Sequence, residues 1–330
     1  MTAVTVRVPA KLNLQLAVGP RRPDGYHDLV TVFHAISLSD EVTVEPGAGD
    51  LVTVTGEGAG QVPAGRDNLA LRAVVALRAA ALRGGTGYGG GAGEGGGAPE
   101  QRGRPGGVRV TIRKRIPVAA GLAGGSADAA AALVACNELW GSGFSQRELC
   151  EVAAGVGSDA AFAVLGGTAV GRGRGERLTA ALVPAAQYHW VLAFADGQLS
   201  TPEVYAAFDR LTARGDTGGP AAPELSLELM TALRAGDPAA LGRALANDLQ
   251  AAAVSLFPPL RKTLAAGREF GALGALVAGS GPTCFFLAAS ASRALDLAAS
   301  LSGAGVCRSV ARATGPAPGA TVVSVPGGMP

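Results

Sequence analysis

Three groups of residues in this chain could act on a charged or phosphorylated molecule. Lys11 follows Pro9 and Ala10 at the end of an alternating stretch and has apolar neighbours, a setting that partly desolvates an ammonium group. Asp159 follows Gly157 and Ser158 and opens a short helical stretch. There the helix dipole favours a carboxylate by about 0.3–1 kcal/mol. Gly121, Leu122, Ala123, Gly124, Gly125 and Ser126 lie between a strand pattern and a long small-residue helix. Such a loop can aim backbone N–H groups at an anion while the helix N-terminus adds partial positive charge. Each feature also has a plainer explanation: a lysine on a solvated face, a carboxylate placed by the dipole, and a tight strand-to-helix connection.

Two familiar nucleotide signatures are excluded. Glycine is never followed by lysine, so there is no Walker loop, and the segment from Gly121 to Gly125 does not satisfy G-x-G-x-x-G. Residue usage adds a pointer. Only three of the 28 basic residues are lysine (Lys11, Lys114 and Lys262), there are four asparagines, and glycine reaches 50. Against that bias Lys11 and Asn13 sit together, two positions apart, and Asn68 and Asn247 fall in other short motifs.

The net charge of +2 and a charged fraction of 16% argue against a polyelectrolyte partner such as nucleic acid. The apolar stretch from Ala275 to Ala291 is interrupted by Gly279, Ser280, Gly281 and Pro282, so no membrane span is expected. No basic-then-apolar leader is visible at the start, and the expected compartment is the cytoplasm. Cys136, Cys150, Cys284 and Cys307 are widely spaced without a C-x-x-C pair, which predicts free thiols and no structural metal.

The elements that must position these residues follow from periodicity. Residues 4–8 and then Leu12, Leu14, Leu16 and Val18 alternate with period two, predicting two half-buried strands around a break at Pro9, Ala10 and Lys11, with Lys11 at a strand edge. Further strands are expected over Leu29–Leu38, Glu41–Val44 and Leu51–Thr55, and around Val108, Val110 and Ile112. Helices are expected over Asn68–Arg83 and from Ser126 to about Trp140. Ser145 and Glu148 form a capping box for a helix that Gly155 should stop, and another helix opens at Ser158 and Asp159. Gly84–Gly107 is so rich in glycine that ordering it would cost more than packing returns, which predicts a disordered or mobile loop, tolerated filler in preference to a mobile flap.

After Gly166–Gly175 the pattern restarts: a strand at Trp190–Ala195, helices near Glu203–Leu211 and Ala239–Leu256, a strand near Pro282–Leu287, a helix at Ser292–Leu301 and a strand at Val306–Ala311. A length of 330 residues suits about two domains. The boundary is expected near residue 180, giving domains 1–180 and 181–330, the latter with a tail at 315–330. The mixed order favours α+β over a doubly wound sheet.

Taken together the motifs resemble one family. Pro9-Ala10-Lys11-Leu12-Asn13-Leu14, Asp24-Gly25-Tyr26-His27, the segment Pro117 to Ala130, Gly157-Ser158-Asp159 and Gly279-Ser280-Gly281-Pro282-Thr283 are similar to those of the 4-diphosphocytidyl-2-C-methyl-D-erythritol kinases. That family lies within the GHMP kinase superfamily of galactokinase, homoserine kinase and mevalonate kinase. The resemblance runs over about residues 4–312, apart from the insert. The glycine loop and Gly279–Thr283 indicate only the superfamily; Lys11 and its neighbours joined to Asp24–His27 narrow it.

The resemblance implies an N-terminal domain like the second domain of ribosomal protein S5, a ferredoxin-like C-terminal domain and an active site between them. It implies a small-molecule kinase that uses ATP and Mg2+ to phosphorylate the 2-hydroxyl of the cytidyl substrate in the non-mevalonate route to isoprenoids. Lys11 and Asp159 become the catalytic pair. Pro117, Val118, Ala119, Ala120, Gly121, Leu122, Ala123, Gly124, Gly125, Ser126 and Ala127 would wrap the ATP phosphates, with Asn68 near the nucleotide and Ser126 a candidate metal ligand. Tyr26, His27 and Tyr205 would hold the cytosine, with Asn13 and Thr201 nearby. The sequence departs from the pattern at Ala123, often glycine in the superfamily, and at Ala160 and Ala161, where the family usually has valine and proline. At this stage a homoserine- or mevalonate-type kinase and a non-catalytic S5-like RNA-binding module remain as alternatives.

Overall fold

The computed structural model describes residues 3–84, 105–184, 186–214 and 222–324. The expected mobile insert thus lies, for residues 85–104, outside the described residues. In chain order the first half holds β1 (Val4–Arg21), β2 (His27–Gly47), β3 (Leu51–Gly56), α1 (Leu69–Gly84), β4 (Gly107–Lys114), α2 (Gly124–Leu139), α3 (Gln146–Val156), α4 (Ala160–Leu165), β5 (Thr168–Gly173) and β6 (Arg177–Ala180). The second half holds β7 (Tyr188–Phe194), α5 (Thr201–Ala213), α6 (Leu227–Ala235), α7 (Pro238–Ala244), β8 (Ala246–Asn247), α8 (Gln250–Leu256), α9 (Pro259–Glu269), β9 (Gly274–Val277), β10 (Cys284–Ala288), α10 (Ala291–Gly303), β11 (Ser309–Gly315) and β12 (Thr321–Ser324).

The first sheet follows the order β12-β1-β2-β4-β3, with β5 and β6 added beside β2 and β8 beside β1. β3 and β4 are parallel, and α1 lies on the long connection that a parallel pair requires. The second sheet is antiparallel with order β11-β7-β10-β9. Its chain order, β7, helices, β9, β10, α10, β11, is the β-α-β-β-α-β pattern of a ferredoxin-like unit. The α+β two-domain arrangement is therefore present.

Alternation along β1 divides its residues between two environments. Val4, Val6, Val8, Ala10, Leu12 and Leu14 enter the main core, where they meet the fully buried alanines of α2 such as Ala129, Ala130 and Ala132. Alanine suits a helix buried all round, because small side chains let its backbone approach the sheet closely. The opposite face of β1 carries Lys11, Asn13 and Gln15, all polar and all buried.

Several sequence expectations require correction. The break at Pro9 is a bulge within one continuous strand, with the register against β2 shifting between Pro9 and Ala10, so Lys11 lies mid-strand rather than at an edge. The strands expected at Leu29–Leu38 and Glu41–Val44 are likewise one strand, β2. The capping box of α3 is present, but the helix runs on to Val156 and Gly157 is its C-cap. Gly166–Gly175 contains β5 rather than a break, and β12 in the expected tail pairs with β1. The helix expected over Ala239–Leu256 is split into α7, β8 and α8. Asn247 causes the split: its amide donates to Val277 O and Gly279 O, both at 2.8 Å, and its Oδ1 accepts from Leu249 N at 2.9 Å.

Candidate active site between the two sheets

A cleft of about 900 Å3 lies where the elements converge, lined by Lys11, Asp159, the loop preceding α2 and residues of α5. Two loops approach closely at its centre. A Cβ on Gly121 would collide with Ala278 O, and one on Gly279 would lie 3.3 Å from Lys11 Nζ and 3.4 Å from Asn13 Oδ1. Glycine at both positions lets the loop at 279–283 reach the base of the cleft. The Asn247 amide fixes that second loop from behind.

Lys11 is held by a chain of polar contacts that leaves part of its donor capacity free. Its Nζ donates to Asn13 Oδ1 at 2.7 Å, Asn13 Nδ2 donates to Thr31 Oγ1 at 2.8 Å, and that hydroxyl donates to Gln15 O at 2.7 Å. Its ammonium also sits 5.8 Å from the centre of the Phe33 ring. Asp159 Oδ2 is 3.7 Å from Lys11 Nζ, an ion pair with room for a group between or beside the two. Asp159 occupies the N-cap position of α4, yet its side chain makes no capping hydrogen bond and instead lines the cleft. Ala160 and Ala161, fully buried, anchor the helix that carries it.

The loop before α2 also bears on anion binding. Side chains cap α3, α6, α7 and α10, whereas α2, like α4, α5, α8 and α9, has no side-chain cap. Gly124, Gly125 and Ser126 of the first turn of α2 line the cleft, so this end of the helix meets the cavity without a side-chain cap, an arrangement suited to an incoming phosphate. Ala119, Ala120, Gly121, Ala123, Gly124, Gly125 and Ser126 line the cavity, as does Arg72 of α1. Pro117, Val118, Leu122 and Ala127 do not line it; Leu122 and Ala127 are core residues. Asn68 is also buried away from the cavity: its Oδ1 accepts from Ala70 N and its Nδ2 donates to Pro63 O.

At the other end of the cleft, Thr201 Oγ1 lies 2.8 Å from Ser280 Oγ, joining α5 to the glycine loop. The His27 ring stacks on Tyr205 with centroids 5.0 Å apart. The hydroxyl pKa of Tyr205 is raised by burial, and the nearby Asp159 carboxylate raises it further. Tyr26 is exposed, with the Arg174 guanidinium over its ring at 5.1 Å. Thus Lys11, Asn13, Tyr26, His27, Asp159, Thr201 and Tyr205 share one cavity.

Residue-level reading of the sequence missed two sets of polar partners. Asp209 Oδ1 lies 2.8 Å from His27 Nε2. Its signal was the four-residue spacing Thr201, Tyr205, Asp209, which puts all three on one helix face. Lys114 donates to both Asp40 and Asp128 beneath the loop. Its scarcity marked it, but nothing local revealed its partners.

Comparison with known proteins decides the family. Residues 68–167 match the model of the GHMP kinases N terminal domain, and residues 229–307 match that of the GHMP kinases C terminal region. A 4-diphosphocytidyl-2-C-methyl-D-erythritol kinase of Nocardia farcinica is 52% identical over 320 residues, covering 97% of this chain and 96% of that one. One from Streptomyces coelicolor is 53% identical over 322 residues, covering 97% and 99%. The chain belongs to this kinase family. A crystal structure of a 4-(cytidine 5'-diphospho)-2C-methyl-D-erythritol kinase superposes with a TM-score of 0.70 at 34% identity, covering 94% of this chain and 98% of that one. A homoserine kinase from Cytophaga hutchinsonii reaches a TM-score of 0.68 at 17% identity, covering 98% of each chain, which is a likeness of fold. The family is thus that of small-molecule kinases acting on an alcohol. Among the described residues no helix is long and apolar enough to cross a membrane.

Proposed function

We propose that this chain transfers the γ-phosphoryl group of ATP to the 2-hydroxyl of 4-diphosphocytidyl-2-C-methyl-D-erythritol, a step toward isoprenoid precursors. The observation that carries the reading is the meeting, in one cleft, of a helix N-terminus without a side-chain cap and an open lysine–carboxylate pair 3.7 Å apart. The first-turn N–H groups of α2 and the small residues of its loop hold the triphosphate, and Arg72 adds charge from α1. Ser126 offers a hydroxyl to Mg2+, which when bound neutralises phosphate charge. Asn68 serves the nucleotide site indirectly by fixing the start of α1.

An alcohol is a weak nucleophile near neutral pH. Asp159 is placed to accept its proton during transfer, a contribution of about 10²- to 10⁴-fold. Lys11, 3.7 Å from that carboxylate, stabilises charge developing on the acceptor oxygen. The rest of the rate comes from positioning and electrostatics, because phosphoryl transfer asks little covalent chemistry of the protein. Tyr26, His27 and Tyr205 provide stacking faces and a polar edge for the cytosine, with Asn13 and Thr201 lining the path between base and acceptor.

The test is ATP consumption with a panel of acceptors: the cytidyl-erythritol compound, homoserine, mevalonate and galactose. Turnover of the cytidyl compound alone is expected. Comparable turnover of homoserine or mevalonate would overturn the substrate assignment while leaving the kinase chemistry standing.

A further inference from the structure

Asp209 projects from the same face of α5 as Tyr205 and reaches His27 across the cleft wall. His27 is buried, packed against Tyr205 and edge-on to Phe208 at 6.1 Å, so the ring is held from several sides. Oδ1 of Asp209 lies 2.8 Å from Nε2. An ionised carboxylate can only accept, so Nε2 must carry the hydrogen and donate it. In the neutral ring Nδ1 then keeps its lone pair. Nδ1 makes no hydrogen bond to any described residue, is not sealed from solvent, and belongs to a ring that lines the cleft.

We propose that Asp209 is the positioning residue that sets the nucleobase preference of this kinase. By holding the proton on His27 Nε2 it makes Nδ1 an acceptor, which takes a hydrogen bond from the exocyclic amine of cytosine and repels the carbonyl oxygen at the same place on uracil. The inference rests on the cytidyl reading above and adds the origin of its selectivity. Stacking on Tyr26 and Tyr205 cannot supply this, since both pyrimidines present a flat face of the same size. A polar group left facing the wrong partner lowers binding by roughly 10- to 100-fold, enough to separate the two bases.

The test compares kcat/KM for the cytidyl substrate and its uridyl counterpart in the wild-type chain, Asp209→Asn and Asp209→Ala. The Asp209 side chain is 35% exposed, which favours folded variants. Wild type is expected to prefer the cytidyl compound by about tenfold or more. Asp209→Ala should lose most of that preference through KM for the cytidyl compound, with KM for ATP unmoved. Asp209→Asn, whose amide oxygen still accepts from Nε2–H, should keep most of it. Nitrogen-15 NMR of His27 gives a readout independent of activity: one Nε2–H tautomer in wild type and Asp209→Asn, a mixture in Asp209→Ala. An unchanged base preference or an unchanged tautomer in Asp209→Ala overturns the proposal, as does an Asn variant as impaired as the Ala one. A wild-type chain that phosphorylates neither compound overturns the cytidyl reading itself, and this inference falls with it.

Discussion

Two lysines in the first half of the molecule stand among carboxylates, and they serve opposite ends. Lys114 is sealed in the core: it donates to Asp40 and, at 2.8 Å, to Asp128, with all three side chains at most 4% exposed. Asp40 also accepts from Arg115 N at 2.6 Å and Ile116 N at 2.8 Å. The cluster therefore ties β2 and β4 to the first turns of α2, directly under the loop that faces the cleft. Burial works against the Lys114 charge, but the two carboxylates outweigh it and hold its pKa above the ordinary lysine value. Lys11 has its carboxylate at 3.7 Å, one short hydrogen bond to an amide, and an open cavity before it. Residue type is the same at both places. Closure is what separates the sealed ion cluster from the open pair: a charge fully matched by the protein has little left for a substrate.

The largest expected effect falls on the open pair. Asp159→Asn should lower kcat by about 10²- to 10⁴-fold while leaving the unfolding midpoint near wild type, because the carboxylate is partly exposed, at 26%, and caps nothing. Steady-state kinetics beside thermal unfolding checks this; a variant with near-normal kcat removes Asp159 from the chemistry. The closed cluster should answer the other way. Lys114→Met leaves the buried acidic side chains of Asp40 and Asp128 without the ammonium that both accept from, and removing one partner of such a group costs about 3–5 kcal/mol of stability. Chemical denaturation should show it, and a loss below 1 kcal/mol would mean that the cluster holds nothing together.

Asp128 sharpens the contrast through pH. Burial, aided by the Asp40 charge and opposed by Lys114, pushes its carboxyl from 3.8 up to about 8. Between those values the folded chain keeps a proton that the unfolded chain releases. The stability this group contributes is then full below about pH 4 and is lost as pH rises toward 8. Asp128→Asn keeps an oxygen for Lys114 to donate to and removes the titration, so it should lose less stability than Lys114→Met. Relative to wild type it should also grow more stable from pH 5 to pH 8. Urea unfolding at several pH values measures the difference; parallel curves would show that Asp128 is ionised throughout.

What could be read from the sequence divides along the same line. Lys11, Asp159 and the small-residue loop stood out because each is a short run of unusual residues, and Val4 to Leu14 declared a core face through period two. The capping box at Ser145 and Glu148 was equally local, with both hydrogen bonds present. Hidden features depended on distant partners. Pro9 looked like a strand break because its bulge is defined only by the register against β2. Asn247 interrupts an apparent helix through bonds to residues 277 and 279. The Lys114–Asp40 pair is separated by 74 residues and His27–Asp209 by 182, so neither leaves a mark in any local window.

The smallest expected effect lies at Ala123, between the closed cluster and the open pair. Its backbone is left-handed, with φ 59° and ψ 34°, and Ala119 nearby has φ 53°. A β-carbon there costs about 1–2 kcal/mol, whereas glycine accepts the conformation freely but gives up roughly 0.5–1 kcal/mol in backbone entropy. Ala123→Gly should thus stabilise the chain by about 0.5–1 kcal/mol, visible as a rise of a degree or two in the unfolding midpoint. KM for ATP should move by less than about threefold, because other contacts hold the loop in place. Leu122 is buried, its carbonyl accepts from Lys11 N at 3.3 Å, and the Lys114 cluster fixes the helix behind it. A lower midpoint in the variant would contradict the strain at Ala123. A higher midpoint with a large rise in KM would assign to Ala123 itself the stiffness attributed here to the buried cluster.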